Sequence, residues 1–281
     1  MKDNYFNPKL SINCKGKIIN LSTPLTMGII NVTPDSFYDG GINNTTEKAL
    51  RLAEKHLKEG ATFLDIGGYS SRPGAKNITE KQEMKRVLPV IEAIVKNFDH
   101  PILSVDTFRS IVAKEALKSG ASMINDISAF SLDDKLIDVI SQNNVPYILM
   151  HMQGNPQNMQ QNPTYNNLIY ELIYFFSNKI KHLKANGIHD IIIDPGFGFG
   201  KTLEDNFNLL NNLDKLAVLK LPILAGISRK SMIYKTLKTN SLNSLNGTTA
   251  LHMSALRNGA KILRVHDVKQ AQECIALHLY N

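Results

Sequence analysis

The sequence has no tryptophan, only two cysteines in 281 residues, and no apolar stretch near the roughly 20 residues that a membrane helix needs. Cys14 and Cys274 stand near opposite ends of the chain, which favours reduced packing thiols over a disulfide. Residues 1–10 are polar and lack the apolar centre of a signal peptide, so a cytoplasmic protein is expected. Low-complexity segments are missing too, and with them the composition of disorder. Acidic residues are outnumbered, 25 against 32 basic ones, and the net charge of +7 raises nucleic acid or anionic substrates as partners. The lysines, however, are spread along helical stretches (Lys55, Lys81, Lys114, Lys179) instead of being clustered with aromatics. A solvated outer face is the better reading, and neither a nucleic acid nor a membrane is expected as partner.

What is present is a rhythm. Eight times a short β-branched run ends in a polar residue and passes through Gly, Pro, Ser or Asp into an amphipathic helical stretch. The runs are 27–32 ending near Asn31, 63–66 around Asp65, 102–105 before Asp106 and 123–124 before Asn125. They continue as 147–150 before His151, 191–193 before Asp194, 223–227 before Ser228, and 262–265 around Arg264 and His266. Strand–helix alternation points to a parallel sheet, and eight units point to an α/β fold of the closed (β/α)8 TIM barrel type. Such barrels place their active sites at the C-terminal ends of the strands, so the polar run-ends are a first draft of the site.

Ahead of the barrel, 10–14 and 17–21 flank Lys15-Gly16, which predicts a short N-terminal β-hairpin covering the barrel's N-terminal mouth. The expected division is a hairpin segment, 1–25, and a barrel, 26–281. Helices are expected over 46–58, 79–97, 110–118, 133–142, 165–185, 203–219 and 268–279, with Gly60, Gly120 and Gly187 as C-caps. Three long loops, 33–44, 67–76 and 151–163, follow strand C-termini, where lids belong.

Asp194-Pro195-Gly196-Phe197-Gly198-Phe199-Gly200-Lys201-Thr202 is neither a P-loop, which needs Gly at Pro195, nor a dinucleotide fingerprint, whose third Gly is out of place. It remains a glycine-rich loop that lets backbone approach a ligand, with Phe197 or Phe199 available to pack on a flat ring. His151 and His266 end strands, but no Cys or His cluster has zinc spacing; Mg2+ needs only oxygen ligands, of which Asn31 offers one. Lys201 and Lys230 lie outside apolar strands, so no desolvation of their ammonium groups is expected. Ser228-Arg229-Lys230-Ser231 is either an anion trap at a helix N-terminus or a capping serine beside surface basics. Asp65, Asp106 and Asp194, with Asn125, project into one mouth if the strands are right. Buried carboxylates need donors, which a flat heterocycle with amino and ring N–H groups supplies; a set of structural salt bridges is the alternative.

These residues fall into eight motifs. They are Met27-Gly28-Ile29-Ile30-Asn31-Val32-Thr33-Pro34-Asp35-Ser36-Phe37; Asp65-Ile66-Gly67-Gly68 with Ser71-Arg72-Pro73-Gly74; Ser104-Val105-Asp106-Thr107; and Ile124-Asn125-Asp126. Then follow Met150-His151-Met152; the glycine-rich loop; Gly226-Ile227-Ser228-Arg229-Lys230-Ser231; and Arg264-Val265-His266-Asp267. In this order they resemble the dihydropteroate synthase family of the folate pathway. The resemblance implies a transferase that condenses a dihydropterin-methyl diphosphate with 4-aminobenzoate, a homodimer, and a sulfonamide target. It implies that Asp106, Asn125, Met150, Asp194, Phe199 and Lys230 hold the pterin, and that Asn31, Arg264 and His266 hold diphosphate, with Mg2+ on Asn31. Phe37, Ser70, Ser71, Pro73, Phe199 and Ser231 would shape the 4-aminobenzoate site. Asn31, Asp35, Lys230, Arg264 and His266 are the expected catalytic group, and Asp65 is left to orient the 67–74 loop.

One departure stands out. Many members of the family read Gly-Gly-Glu-Ser-Thr-Arg-Pro-Gly where this chain has Tyr69 for the acid and Ser71 for the threonine. Ser71 keeps the hydroxyl, whereas Tyr69 removes a charge. Two rival functions remain open at this point: a pterin barrel passing a methyl group to a corrinoid protein, and a non-catalytic nucleic-acid-binding barrel.

Overall fold

The structure, a computed structural model, describes residues 10–33, 42–70, 77–159 and 162–280. Its N-terminal hairpin pairs β1 (Ser11–Cys14) with β2 (Lys17–Asn20) through a two-residue turn. Lys15 and Gly16 both have positive φ, +49° and +90°, the twist that lets two antiparallel strands close tightly.

The next eight strands close a parallel barrel: β3 (Leu25–Asn31), β4 (Phe63–Gly67), β5 (Ile102–Asp106), β6 (Met123–Asp126), β7 (Tyr147–Met150), β8 (Ile191–Asp194), β9 (Ile223–Ala225) and β10 (Ala260–Val265), with β10 returning to β3. Between and after them run α1 (Ile42–Lys58), α2 (Glu80–Asn97), α3 (Ser110–Lys118), α4 (Leu136–Asn143), α5 (Leu168–Ala185), α6 (Leu203–Asn211), α7 (Ser231–Thr236), α8 (Leu245–Arg257) and α9 (Val268–His278). Gly60, Gly120 and Gly187 follow helices with φ of +95°, +117° and +77°, as expected for C-caps. Among the described residues no helix is long and apolar enough to cross a membrane.

Several boundaries differ from the sequence reading for local reasons. The expected 203–219 helix breaks at Asn212 into α6 and a 3-10 segment, Leu213–Leu219. The 133–142 helix starts only at Leu136, because Asp133 turns its carboxylate to the N–H groups of Ser110 and Lys135. The 165–185 helix starts at Leu168, where Asn167 Oδ1 caps the Tyr170 N–H at 3.1 Å.

Two separate cores hold the fold. Alternate residues of each strand point outward into a large layer against the helices, for example Leu64, Ile66, Leu103, Val105, Leu149 and Ile193. The barrel's lower interior is a second cluster, one residue from each strand: Met27, Phe63, Ile102, Met123, Ile148, Ile192, Leu224 and Ile262. Ile12, Cys14, Ile19 and Leu21 of the hairpin region pack against it, so the hairpin stoppers the N-terminal mouth as predicted. The interior can therefore be open to ligand only at the opposite, C-terminal end.

Candidate active site

Two residues beyond that apolar cluster, the same runs place Asp65, Ser104, Asn125, Met150, Asp194, Gly226 and Arg264. Side chains recur on one face of a strand every second residue, so this set forms the next storey up. Arg264 lies at its centre. Its Nε donates to Asp65 Oδ2 at 2.6 Å and its Nη2 to Asp106 Oδ2 at 2.8 Å. Asn125 Nδ2 donates to the same Asp65 oxygen at 2.9 Å. Asp65, with no motif-based ligand, is thus the shared acceptor that fixes both Arg264 and Asn125. Its other oxygen is buried with no partner among the described residues.

Burial dominates the electrostatics here. It lifts the Asp106 carboxyl to about 7 against the pull of Arg264, and it raises Asp194 against the pull of Lys230. Against the same penalty of burial, Asp65 and Asp106 hold the Arg264 guanidinium above its ordinary range. Asp106 can therefore meet a polar ring as donor or acceptor near physiological pH, while Arg264 remains a cation.

A second group gathers around β8 and the end of β9. Asp194 Oδ1 accepts from the Gly196 N–H at 2.8 Å. Lys230 Nζ donates to the Phe197 carbonyl and stands 4.6 Å above the centroid of the Phe199 ring. A methyl group on Gly226 would lie 3.8 Å from both Asp194 Oδ2 and Lys230 Nζ, so glycine keeps the floor between them open. Desolvation lowers the Lys230 ammonium to about 8 and that of Lys201 to about 7, contrary to the expectation that neither would be desolvated. The reason is the glycine-rich loop: Lys201 folds back beneath it, and Lys230 reaches it from the start of α7.

The rim carries Asn31, Ser228 and His266. Asn31 ends β3, and its side chain has no hydrogen bond among the described residues; a methyl on Gly67 would lie 3.4 Å from its Oδ1 and 3.7 Å from Asp106 Oδ2. Ser228 Oγ and His266 Nδ1 are 3.0 Å apart. His266 is exposed at the end of β10, and desolvation, then the Arg264 cation, push its imidazole down to about 4. Arg229 is not a free anion trap. Its guanidinium grips Asp267 through Nε and Nη2 at 2.8 and 2.9 Å and donates to the carbonyls of Ser241 and Leu242. That grip holds Arg229 in a left-handed conformation, φ +56°, and ties the motif of Lys230 to the motif of His266.

Met150 is buried at the end of β7, Ser231 begins α7, and Ser70 is half-buried beyond β4. Asp35, Phe37, Ser71 and Pro73 lie outside the described residues. Tyr69 has found neutral and cationic neighbours: its ring meets Phe108 edge-on at 5.2 Å with Arg109 above it, and its hydroxyl donates to Asn77 Oδ1 and accepts from Gln157. His151 points away from the mouth, into the layer under α5, with its ring edge-on to Phe175 at 4.8 Å.

A closed barrel plugged at one end, with a carboxylate, amide and lysine storey at the other, defines a small-molecule enzyme of the barrel class. Residues 27–266 match the family model described as pterin binding enzyme. The chain is 41% identical over 268 residues to the dihydropteroate synthase of Escherichia coli K12, covering 95% of this chain and 94% of that protein. A crystal structure of the Yersinia pestis dihydropteroate synthase with a sulfonamide drug complex superposes with a TM-score of 0.91 at 42% identity, covering 96% and 98% of the two chains. A Xanthomonas albilineans dihydropteroate synthase with 4-aminobenzoic acid gives 0.90 at 40% identity, covering 96% and 97%. The chain belongs to the pterin-binding enzymes and, within them, to the dihydropteroate synthase family.

Proposed function

We propose that the upper storey of the barrel reads a pterin ring, with Asp106, Asn125, Asp194 and Lys230 meeting its amino, ring N–H and carbonyl groups and Met150 and Phe199 against its faces. The enzyme condenses (7,8-dihydropterin-6-yl)methyl diphosphate with 4-aminobenzoate, giving 7,8-dihydropteroate and diphosphate in folate biosynthesis. The observation that carries the pterin assignment is the convergence of Asp194, Lys230 and Phe199 on the open floor at Gly226. Each charge-assisted bond there contributes about 1.5–3 kcal/mol.

The chemistry we assign is a dissociative displacement. The C–O bond to diphosphate breaks, ring electron density supports the methylene cation, and the amine of 4-aminobenzoate forms the new C–N bond and releases a proton. Asn31, Arg264 and His266 face the departing diphosphate, and no side chain acts as a nucleophile. Arg264 is already fixed by Asp65 and Asp106, so it meets the leaving group pre-oriented. The residues fit Mg2+: Asn31 has an amide oxygen without a partner among the described residues, and this ion takes most of its ligands from phosphate and water. When bound, Mg2+ supplies positive charge to the diphosphate oxygens. Asp35 is assigned to stabilising the cation, and Phe37, Ser70, Ser71, Pro73, Phe199 and Ser231 to the 4-aminobenzoate site, where sulfonamides compete. Unchanged single-turnover chemistry in Asp35→Asn would remove that residue's role.

The same reading makes the enzyme a cytoplasmic homodimer joined through its late helices. Exposed Leu237, Leu242, Leu279 and Tyr280 support the pairing, and two buried free thiols support a reducing compartment. Isotope-labelled 4-aminobenzoate tests the function: label is expected in dihydropteroate, with diphosphate released. Methyl transfer to a corrinoid protein, or salt-sensitive retention on DNA without incorporation, would overturn it.

A further inference from the structure

The loop that follows β8 is shaped from behind by a buried cation. Its backbone sits directly on the end of β7: a methyl at Gly196 would lie 1.9 Å from the His151 carbonyl oxygen, and one at Gly200 2.7 Å from that of Gln153. Lys201, 3% exposed, folds back beneath this loop. Its Nζ lies 3.0 Å from His151 Nδ1, 3.1 Å from the Gly196 carbonyl and 3.2 Å from the Phe199 carbonyl. An ammonium has three N–H donors, and here they meet three acceptors when His151 is neutral with Nδ1 unprotonated. The imidazole is itself fixed, with Phe175 and Phe176 around it, and Tyr165 Oη donates to the Gly200 carbonyl at 2.6 Å. On the other side, the same loop presents the Phe197 carbonyl and the Phe199 ring to Lys230.

We propose that Lys201, keyed by His151, is a positioning residue of the transferase reaction: its three bonds lock the glycine-rich loop in the conformation that aims Lys230 and Phe199 at the pterin. An apolar side chain of similar volume would fill the space without the desolvation that lowers both Lys201 and His151. What it would not supply is direction for two carbonyls in a segment where glycine imposes little of its own. The inference rests on the pterin role given to Lys230.

The test compares Lys201→Met, His151→Leu, His151→Asn and Lys230→Met for pterin affinity, kcat, KM for 4-aminobenzoate and melting temperature. Lys201→Met and His151→Leu are expected to weaken pterin binding and kcat/KM by about 10- to 100-fold, the worth of one charged hydrogen bond. Asn carries an acceptor where Nδ1 stood, so His151→Asn should recover most of what His151→Leu loses. Parental kinetics in Lys201→Met and His151→Leu, with only the melting temperature lowered and Lys230→Met impaired, would overturn the inference alone. Should Lys201→Met fail to fold, equal losses in His151→Leu and His151→Asn overturn it. Parental pterin affinity in Lys230→Met would overturn the reading of Lys230 and the inference with it.

Discussion

The lower and upper storeys of the barrel interior come from the same eight runs, two residues apart, and have opposite characters. Below are Met27, Phe63, Ile102, Met123, Ile148, Ile192, Leu224 and Ile262, stoppered by the hairpin. Above them, at the corresponding positions, are Ile29, Asp65, Ser104, Asn125, Met150, Asp194, Gly226 and Arg264. A rise of roughly 7 Å, two strand residues, separates a packed core from a charged site. The lower storey gives the upper one its low dielectric and a rigid base, where burial raises the Asp194 carboxyl and that of the neighbouring Asp106.

The sharpest break of this comparison is a pair of variants with equal stability loss and unequal function. Phe63→Ala empties a fully buried site and should cost about 3–5 kcal/mol in urea unfolding, leaving KM and kcat of the folded enzyme near parental. Arg264→Met strands the buried Asp65 and its neighbour Asp106 and should also cost about 3–5 kcal/mol, while abolishing turnover. Equal kinetics in the two would merge the storeys. Acid sensitivity should come from imidazoles that folding desolvates, and His252 is the one furthest from the site. His252 in α8 is 1% exposed, both ring nitrogens lack partners among the described residues, and burial pushes its imidazole from 6.5 to about 4. The unfolded chain therefore binds this proton first: the contribution of His252 is full above pH 6.5 and falls by about 3 kcal/mol as pH drops to 4. Unfolding of His252→Leu across that window should show a shallower slope. Asp194→Asn should weaken pterin binding by about 1.5–3 kcal/mol in calorimetry, with little change in melting temperature. The smallest effect belongs to the stopper: Gly16→Ala, at φ +90°, should cost about 1 kcal/mol by thermal unfolding and leave activity intact.

Much of this architecture is legible in the sequence because it is local. The β-branched runs mark the strands, Lys15-Gly16 marks the hairpin, and the polar run-ends Asp106, Asn125 and Asp194 mark the storey that the barrel brings together. What the sequence leaves dark is pairing across the barrel. Asp65 has no evident partner in its own motif because Arg264 lies 199 residues away. Arg229 reads as a spare cation until folding sets Asp267 against it. Lys201 reads as a lysine outside any apolar strand, without desolvation, because nothing local shows that the loop wraps back over His151. Helix starts were displaced where a side chain, such as Asp133, took the backbone hydrogen bonds first.

Diffraction from crystals soaked with a pterin tests the central claim, that the upper storey is the ring-reading layer. The predicted result is density flanked by Asp106, Asn125 and Asp194, in contact with Lys230. A pterin bound elsewhere, with Arg264 and these side chains undisturbed and the floor at Gly226 empty, would contradict it.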